Sequence, residues 1–351
     1  MAGALDERAM RKAQLLEAGY VFVPEGLEVP GPVARSTAGP DAGERAVVFE
    51  VDGLRVRMRL SDDPHEEFTL AAREGALDLH RRGKPYALGV AVVPNVLHAP
   101  GMAFVNVESG CAMDCKFCAT PHLRRESRKR MRKEQWLDRL LEAAARGDVH
   151  SIGITAGVSG VPGKTVDDIV WIVRELRKVH PEVPVGVEPY VESVGEVERI
   201  KAAGATEIKL NLQTFDREIF ARVCPGWDFD RQLRMLEGAA RVFGRERVTA
   251  NLLVGLGESD ENVEAALRFL FGLGIVPTVR ALRWNDINRE HLEEALGGPV
   301  PPVSAERLVR LARMEHRMLV EAGLSALHYR TMCHACGACD MVPETDLVRF
   351  P

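Results

Sequence analysis

MAFVNVESGCAMDCKFCATPHLRR, residues 102–125, runs from an apolar strand-like stretch into a glycine- and proline-bounded loop that holds Cys111, Cys115 and Cys118. Loops of chemically active side chains directly after a strand are typical of the carboxyl ends of parallel sheets. The chain downstream repeats the arrangement. HSIGITAG (150–157), VPVGVEPY (183–190), TEIKLNL (206–212), RVTANLLVGLG (247–257) and IVPTVRAL (275–282) alternate with helical patterns near 133–146, 166–179, 194–203, 230–243 and 260–273. Strict alternation predicts βαβ units, a parallel α/β sheet and function at the strand carboxyl ends. Six such repeats suit either a partial (β/α)6 barrel or a doubly wound sheet.

The flanks of this repeat lack its rhythm. On the amino side, a short helical start (Leu5 to Glu17) leads into a Pro/Gly-rich stretch through Gly43. AVVFEV and LRVRMRL follow on either side of Asp52-Gly53, the dipeptide that most strongly signals a hairpin. A helix is expected from about Glu66 to Arg82. On the carboxyl side, a Pro-rich loop (Gly297 to Pro302) precedes a helix capped by Ser304 and reaching about Ala322, and a cysteine-bearing tail ends the sequence. The expected division is an extension with a β-hairpin at 1–98, a core at 99–300 and a helix with a cluster-binding tail at 301–351.

Composition excludes several classes. The chain has 351 residues, 46% of them hydrophobic and 28% charged, which removes small disulfide scaffolds and largely disordered proteins. A formal net charge of −5 argues against a globally basic nucleic-acid binder. No uncharged apolar run of about 18 residues is present, and the start, MAGALDERAMRKAQ, has no apolar core of signal-peptide type. A cytoplasmic protein that uses no membrane is expected.

Six of the seven cysteines fall in two tight groups, Cys111, Cys115, Cys118 and Cys333, Cys336, Cys339. Grouping of this kind points to thiolate metal or cluster sites rather than to a disulfide framework. Three thiolates hold three irons of a 4Fe-4S cubane and leave the fourth iron open to a ligand. A zinc loop using His122 is the competing reading of the first group. The tail TMCHACGACDMVPETD (331–346) has CxxCxxC spacing and reads as a second, auxiliary 4Fe-4S site, with zinc bound through His334 or His328 as the alternative. Cys224, in ARVCPGWD, reads as a small buried hydrophobe or, alternatively, as an active-site thiol or fourth cluster ligand. RRESRKRMRK (124–133) carries seven basic residues in ten, either a solvated face or a dock for an acidic carrier domain or for phosphates.

CxxxCxxC after the first strand of a six-fold repeat, with Phe117 just before the last cysteine, resembles the radical S-adenosylmethionine (SAM) superfamily. The resemblance covers about residues 100–290 and implies a partial (β/α)6, TIM-like barrel. It also implies that SAM binds the open iron and that one electron from the cluster yields a 5′-deoxyadenosyl radical. By position in the family pattern, Phe117 and the backbone of Ala156 and Gly157 in ITAGVSG would contact SAM. So would Glu188 on the third strand and Asn211 and Gln213 on the fourth. Val254, Gly255 and Glu258 in NLLVGLGE fall in the adenine-side motif, and Arg222 is placed for the SAM carboxylate. The stretch from GVEPY to GLGE is similar to the biotin synthase, lipoyl synthase and hydrogenase-maturation branch.

That likeness implies a sulfurtransferase similar to lipoyl synthase, with an auxiliary cluster as sulfur source. Its substrate would be an octanoyl chain on an acyl-carrier or lipoyl-carrier domain, its electron donor a ferredoxin or flavodoxin, and its co-worker a second radical SAM protein. Lipoyl synthases place their auxiliary cysteines before the core, whereas this chain has them after it. Two alternatives remain at this point: a cofactor- or peptide-maturing enzyme whose second cluster transfers electrons, and a non-catalytic iron-sulfur redox sensor.

Overall fold

The computed structural model describes residues 2–31, 33–36, 39–123, 131–158 and 160–348. Helix α1 (Ala2–Ala18) leads into strands β1 (Tyr20–Phe22), β2 (Ala34–Arg35), β3 (Arg45–Val51), β4 (Leu54–Ser61), β5 (Phe68–Arg73), β6 (Ala76–Arg81) and β7 (Lys84–Val93). Strands β3, β4, β1, β5, β6 and β7 pair in that order. Because β7 pairs back onto β3 through Phe49 and Val92, the sheet closes into a small barrel. Closure removes the free edges that a sheet of this size would otherwise expose. Buried Phe49, Met58, Phe68, Leu70 and Leu79 pack its core.

The helix expected over Glu66–Arg82 is therefore the β5–β6 hairpin. Its turn is Glu74-Gly75, both residues in the left-handed region (φ 48° and 84°). Asp52-Gly53 (φ 52° and 76°) and Arg82-Gly83 (φ 50° and 76°) close the neighbouring hairpins in the same way. Paired positive φ values match the right-handed twist of the strands, and glycine takes the second position without cost.

The core follows the predicted rhythm. Strands β8 (Met102–Asn106), β9 (Ser151–Thr155), β10 (Val185–Glu188), β11 (Glu207–Lys209), β12 (Val248–Thr249), β13 (Asn251–Val254) and β14 (Thr278–Ala281) are all parallel to their neighbours. The Gln213 N–H donates to Asn251 O at 2.8 Å and Leu253 N–H to Gln213 O at 2.6 Å. These bonds join β13 and β14 to the five strands before them, so the series is a partial barrel of six strand positions with a gap between β14 and β8. Helices α2 (Lys133–Ala144), α3 (Pro162–Val179), α4 (Val194–Ala203), α5 (Arg217–Val223), α6 (Phe229–Phe243) and α7 (Asp260–Gly272) connect them. Ser193, Asp216, Asp228 and Ser259 cap four of these helices by accepting backbone N–H groups.

Helices α8 (Arg289–Leu296) and α9 (Ala305–Ala322) follow, and Ser304 caps α9 as expected. The tail, with α10 (Met332–Cys336) and α11 (Pro343–Asp346), turns back into the barrel at the amino ends of the strands. The buried Glu207 carboxylate accepts Arg330 N–H at 2.8 Å and Thr331 N–H at 3.0 Å, and it also bonds the Thr331 hydroxyl. Thr331 lies so close to β10 that a Cβ at Gly186 would come within 2.1 Å of its hydroxyl oxygen. His334 Nε2 lies 3.1 Å from Thr249 Oγ1 and 3.0 Å from Val276 O. The tail thus satisfies Glu207, Thr249 and Val276 at this end of the barrel.

Candidate active cavity

The first cysteine loop is fixed by main-chain bonds from three sides. Gly157 N–H donates to Glu108 O (2.9 Å), Ala112 N–H to Val158 O (2.7 Å) and Lys116 N–H to Val223 O (2.9 Å). A Cβ at Gly157 would come within 2.1 Å of Gly110 O, so glycine is what allows the ITAGVSG loop to approach. Ser159 of that loop, like residues 124–130 of the basic run, lies outside the described residues.

All seven cysteines are free thiols. Burial raises Cys111 above the ordinary thiol value. Burial, followed by neighbouring Cys115, pushes Cys118 up to about 12. Cys115 is raised by the adjacent Cys224 thiol and then by burial. Cys224 is fully buried beside the triplet. Three cysteines without disulfide partners gathered on one loop are the donor set that a cluster would take.

Both cysteine triplets line one cavity of about 260 Å³. Its upper wall, at the strand carboxyl ends, includes Phe117, Ala156, Gly157, Glu188, Asn211 and Gln213, as the sequence pattern placed them. Asn211 Nδ2 donates to Glu188 Oε1 at 2.7 Å, and its Oδ1 accepts Asn251 N–H at 3.1 Å. Gln213 has φ 68°, and its buried Oε1 has no partner. A strained residue with an unpaired buried acceptor is a feature that a bound ligand explains.

The lower wall holds residues that sequence reasoning missed. Lys209, 1% exposed, donates from Nζ to Cys333 Sγ at 3.2 Å and lies 3.9 Å from Glu188 Oε1. Arg280 donates to Cys333 Sγ at 3.1 Å and grips Asp340 with two bonds of 2.6 Å. Burial pushes Cys336 up to about 12, with Cys339 adding to it. The amino-terminal barrel closes the remaining side with Asp41, Arg57 and His98. Arg283 pairs with Asp41 at 2.7 Å. Burial alone would raise Asp41, yet Arg283 and then Arg59 pull it down to about 2. The only sequence signal for Lys209 and Arg280 was a charge set into an otherwise apolar strand, which is costly unless paired.

Four positions fall elsewhere. Arg222 is exposed at the end of α5 and bonds Glu218 O at 3.4 Å, away from the cavity. Glu258 accepts Gly255 N–H (2.9 Å) and Leu256 N–H (2.8 Å) and pairs with Arg307 at 2.8 Å, so it locks its own turn onto α9. Val254 and Gly255 lie behind the strand end. A Cβ at Gly255 would meet Val303 at 2.5 Å, so close packing at the start of α9 requires this glycine.

His122 stacks on His291 with ring centroids 3.8 Å apart. It keeps a buried Nε2 with no hydrogen-bond partner among the described residues and so stays available as a fourth ligand for zinc, whereas His334 and His328 each have a ring nitrogen engaged elsewhere, His328 with Glu246 at 2.8 Å. Among the described residues no three His, Cys, Asp or Glu side chains converge on a single ion.

Comparison with known proteins agrees with this geometry. Residues 105–270 match the Radical SAM superfamily model. Biotin synthase of Renibacterium salmoninarum is 28% identical over 176 residues, 48% of this chain and 50% of that protein. Lipoyl synthase of Corynebacterium urealyticum is 28% identical over 234 residues, 60% of this chain and 64% of that protein. The chain therefore spans about half to two thirds of the length of these curated relatives. Among solved structures, HydG, a maturase of the FeFe-hydrogenase, superposes with a TM-score of 0.50 at 19% identity, covering 64% of this chain and 50% of that one, and shares the fold.

Proposed function

We propose that this chain, whose residues 105–270 form a domain of the radical SAM superfamily, is an enzyme that inserts sulfur at an unactivated C–H position in the manner of lipoyl synthase. Radical SAM proteins use a 4Fe-4S cluster and SAM, which together supply a 5′-deoxyadenosyl radical able to abstract hydrogen. Cys111, Cys115 and Cys118 would hold that cluster. The backbone at Ala156 and Gly157 with the Glu188, Asn211 and Gln213 side chains would orient SAM at the strand ends. Cys333, Cys336 and Cys339 would hold a second 4Fe-4S cluster as the sulfur source.

The observation that carries the reading is the single cavity lined by both triplets. A carbon radical formed at its upper wall needs no transport to reach sulfur at its lower wall. Lys209 and Arg280, both donating to Cys333, set two positive charges beside the sulfur that would join the second cluster. The apolar side chains of Phe104, Phe117 and Leu253 suit an alkyl chain and limit water. The substrate would be an octanoyl chain on an acyl- or lipoyl-carrier domain. A ferredoxin or flavodoxin would reduce the first cluster, and a second radical SAM protein would share the two sulfur insertions.

The test is a variant with Cys333, Cys336 and Cys339 all changed to Ala, assayed with an octanoylated carrier peptide. It should still release 5′-deoxyadenosine and should form no sulfur-containing product. Sulfur product from this variant would overturn the reading.

A further inference from the structure

A second cavity, of about 340 Å³, opens at the amino ends of the barrel strands, on the far side of the tail from the active cavity. The two share Met102 as a common wall. Its other boundary is Ala335, which lies between Cys333 and Cys336. This groove is therefore the outer face of the segment whose inner face presents the second triplet.

Its polar groups are unbalanced. Arg146 is committed to Asp148 by bonds of 2.9 and 2.6 Å, which neutralises the acid of the groove. Arg55 and Arg330 form no ion pair or side-chain hydrogen bond among the described residues. Asn95 is only 6% exposed, yet neither its Oδ1 nor its Nδ2 has a partner. A buried amide with both ends unpaired is rare in folded proteins, and an absent ligand is one of the few explanations for it. Arg55 and Arg330 line the groove together with this amide, and arginine engages oxyanions through paired N–H donors.

We infer that this groove is a binding site for a small oxyanion or thio-oxyanion, held by Arg55 and Arg330 with Asn95 at its floor, on the outer face of the Cys333–Cys336 segment. The volume suits a small molecule rather than a macromolecular surface. The inference does not rest on sulfur insertion, because none of these three residues lines the active cavity. A ligand here would touch the tail without entering the space where SAM and substrate meet.

The experiment uses the full chain with its clusters reconstituted, titrated by calorimetry at low ionic strength with inorganic phosphate and, separately, with thiosulfate. One saturable site is expected in the wild type, weakened about a hundredfold or more in an Arg55→Gln/Arg330→Gln variant, which loses two charged contacts. Asn95→Leu fills the floor without removing either charge. It should weaken binding severalfold, which keeps the test decisive if loss of both arginines loosens the tail. Iron content and 5′-deoxyadenosine release in the absence of added anion should match the wild type in all variants. Preference for thiosulfate would assign the site to a sulfur anion and preference for phosphate to a phosphorylated metabolite, either result supporting it. No saturable binding of either anion, or unchanged affinity in both variants, would overturn it.

Discussion

The two cysteine triplets share a cavity but stand in opposite surroundings. The first is bound mostly by main-chain groups of its own barrel, with Gly39 joining it at Ala119 and Thr120, and its thiols face buried apolar neighbours, with no cation donating to a sulfur among the described residues. The second is wrapped in charge: Lys209 and Arg280 at Cys333, Asp340 on Arg280, and Arg283 reaching Cys339 O at 3.4 Å. Its loop is also held by a different domain. Lys12 donates to Gly337 O at 2.7 Å and pairs with Asp346 at 2.7 Å, and Arg57 N–H donates to Ala338 O at 2.7 Å. A site whose open position takes SAM needs a quiet, preformed pocket. One placed inside a barrel at the end of a tail needs outside support. Helix α1 and strand β4 supply that support, so changes there are expected to disturb the second triplet more than the first.

The largest expected effect separates their roles. Cys115→Ala should abolish 5′-deoxyadenosine formation in a product assay and leave the iron of the tail in place. SAM cleavage at the wild-type rate would break the comparison. Next in size is the clamp. The side chains of Lys12 and Asp346 are 3% and 2% exposed. Removing one partner of such a buried pair costs about 3–5 kcal/mol. Lys12→Met should lower the urea midpoint and deplete tail iron first, so that the purified variant still binds SAM. Equal loss from both sites would show that the clamp is not specific to the tail.

A smaller effect is expected at the upper wall. Asn211→Leu with Gln213→Leu removes two polar contacts worth about 1 kcal/mol each and should weaken SAM binding by about thirtyfold, without changing the cluster absorbance. The smallest effect is pH-dependent. Burial, with Arg57 next, lowers His98 to about 3, so the folded protein keeps this ring neutral where the unfolded chain would protonate it. Its contribution is fully present above the unfolded value near 6.5 and is lost as pH falls from there through about 3. Thermal melts of His98→Phe should lose less stability than wild type between about pH 6.5 and 4. Identical slopes would remove His98 from the account.

The parallel repeat and both triplets were legible because each leaves a dense local signal. Apolar runs of strand length alternated with 3.6-residue patterns, and three cysteines stood within eight residues. The β5–β6 hairpin was misread as a helix because Leu70, Ala71, Ala72, Arg73, Glu74, Ala76 and Leu77 are helix-favouring residue types, although Phe68/Leu70 and Leu77/Leu79 keep the two-residue period of strands. Glu74-Gly75 carried the correction, being the same kind of turn as the Asp52-Gly53 that was recognised. Arg222 and Glu258 were placed by family order, which gives sequence position but not side-chain direction. Arg222 points to solvent, and Glu258 turns onto its own backbone. Lys209, Arg280 and Asp41 escaped notice because each gains its meaning from a partner 53 to 242 residues away, and no local pattern encodes such a pairing.

The most direct test of the central claim follows the sulfur. Clusters are rebuilt in the anaerobic protein with isotopically labelled sulfide, and the protein is then given SAM, a reductant and an octanoylated carrier peptide. Mass spectrometry of the product should show labelled sulfur, with loss of sulfide from the tail site and retention at the first. Product carrying only unlabelled sulfur, or a tail site that keeps all of its sulfide through turnover, would contradict the account.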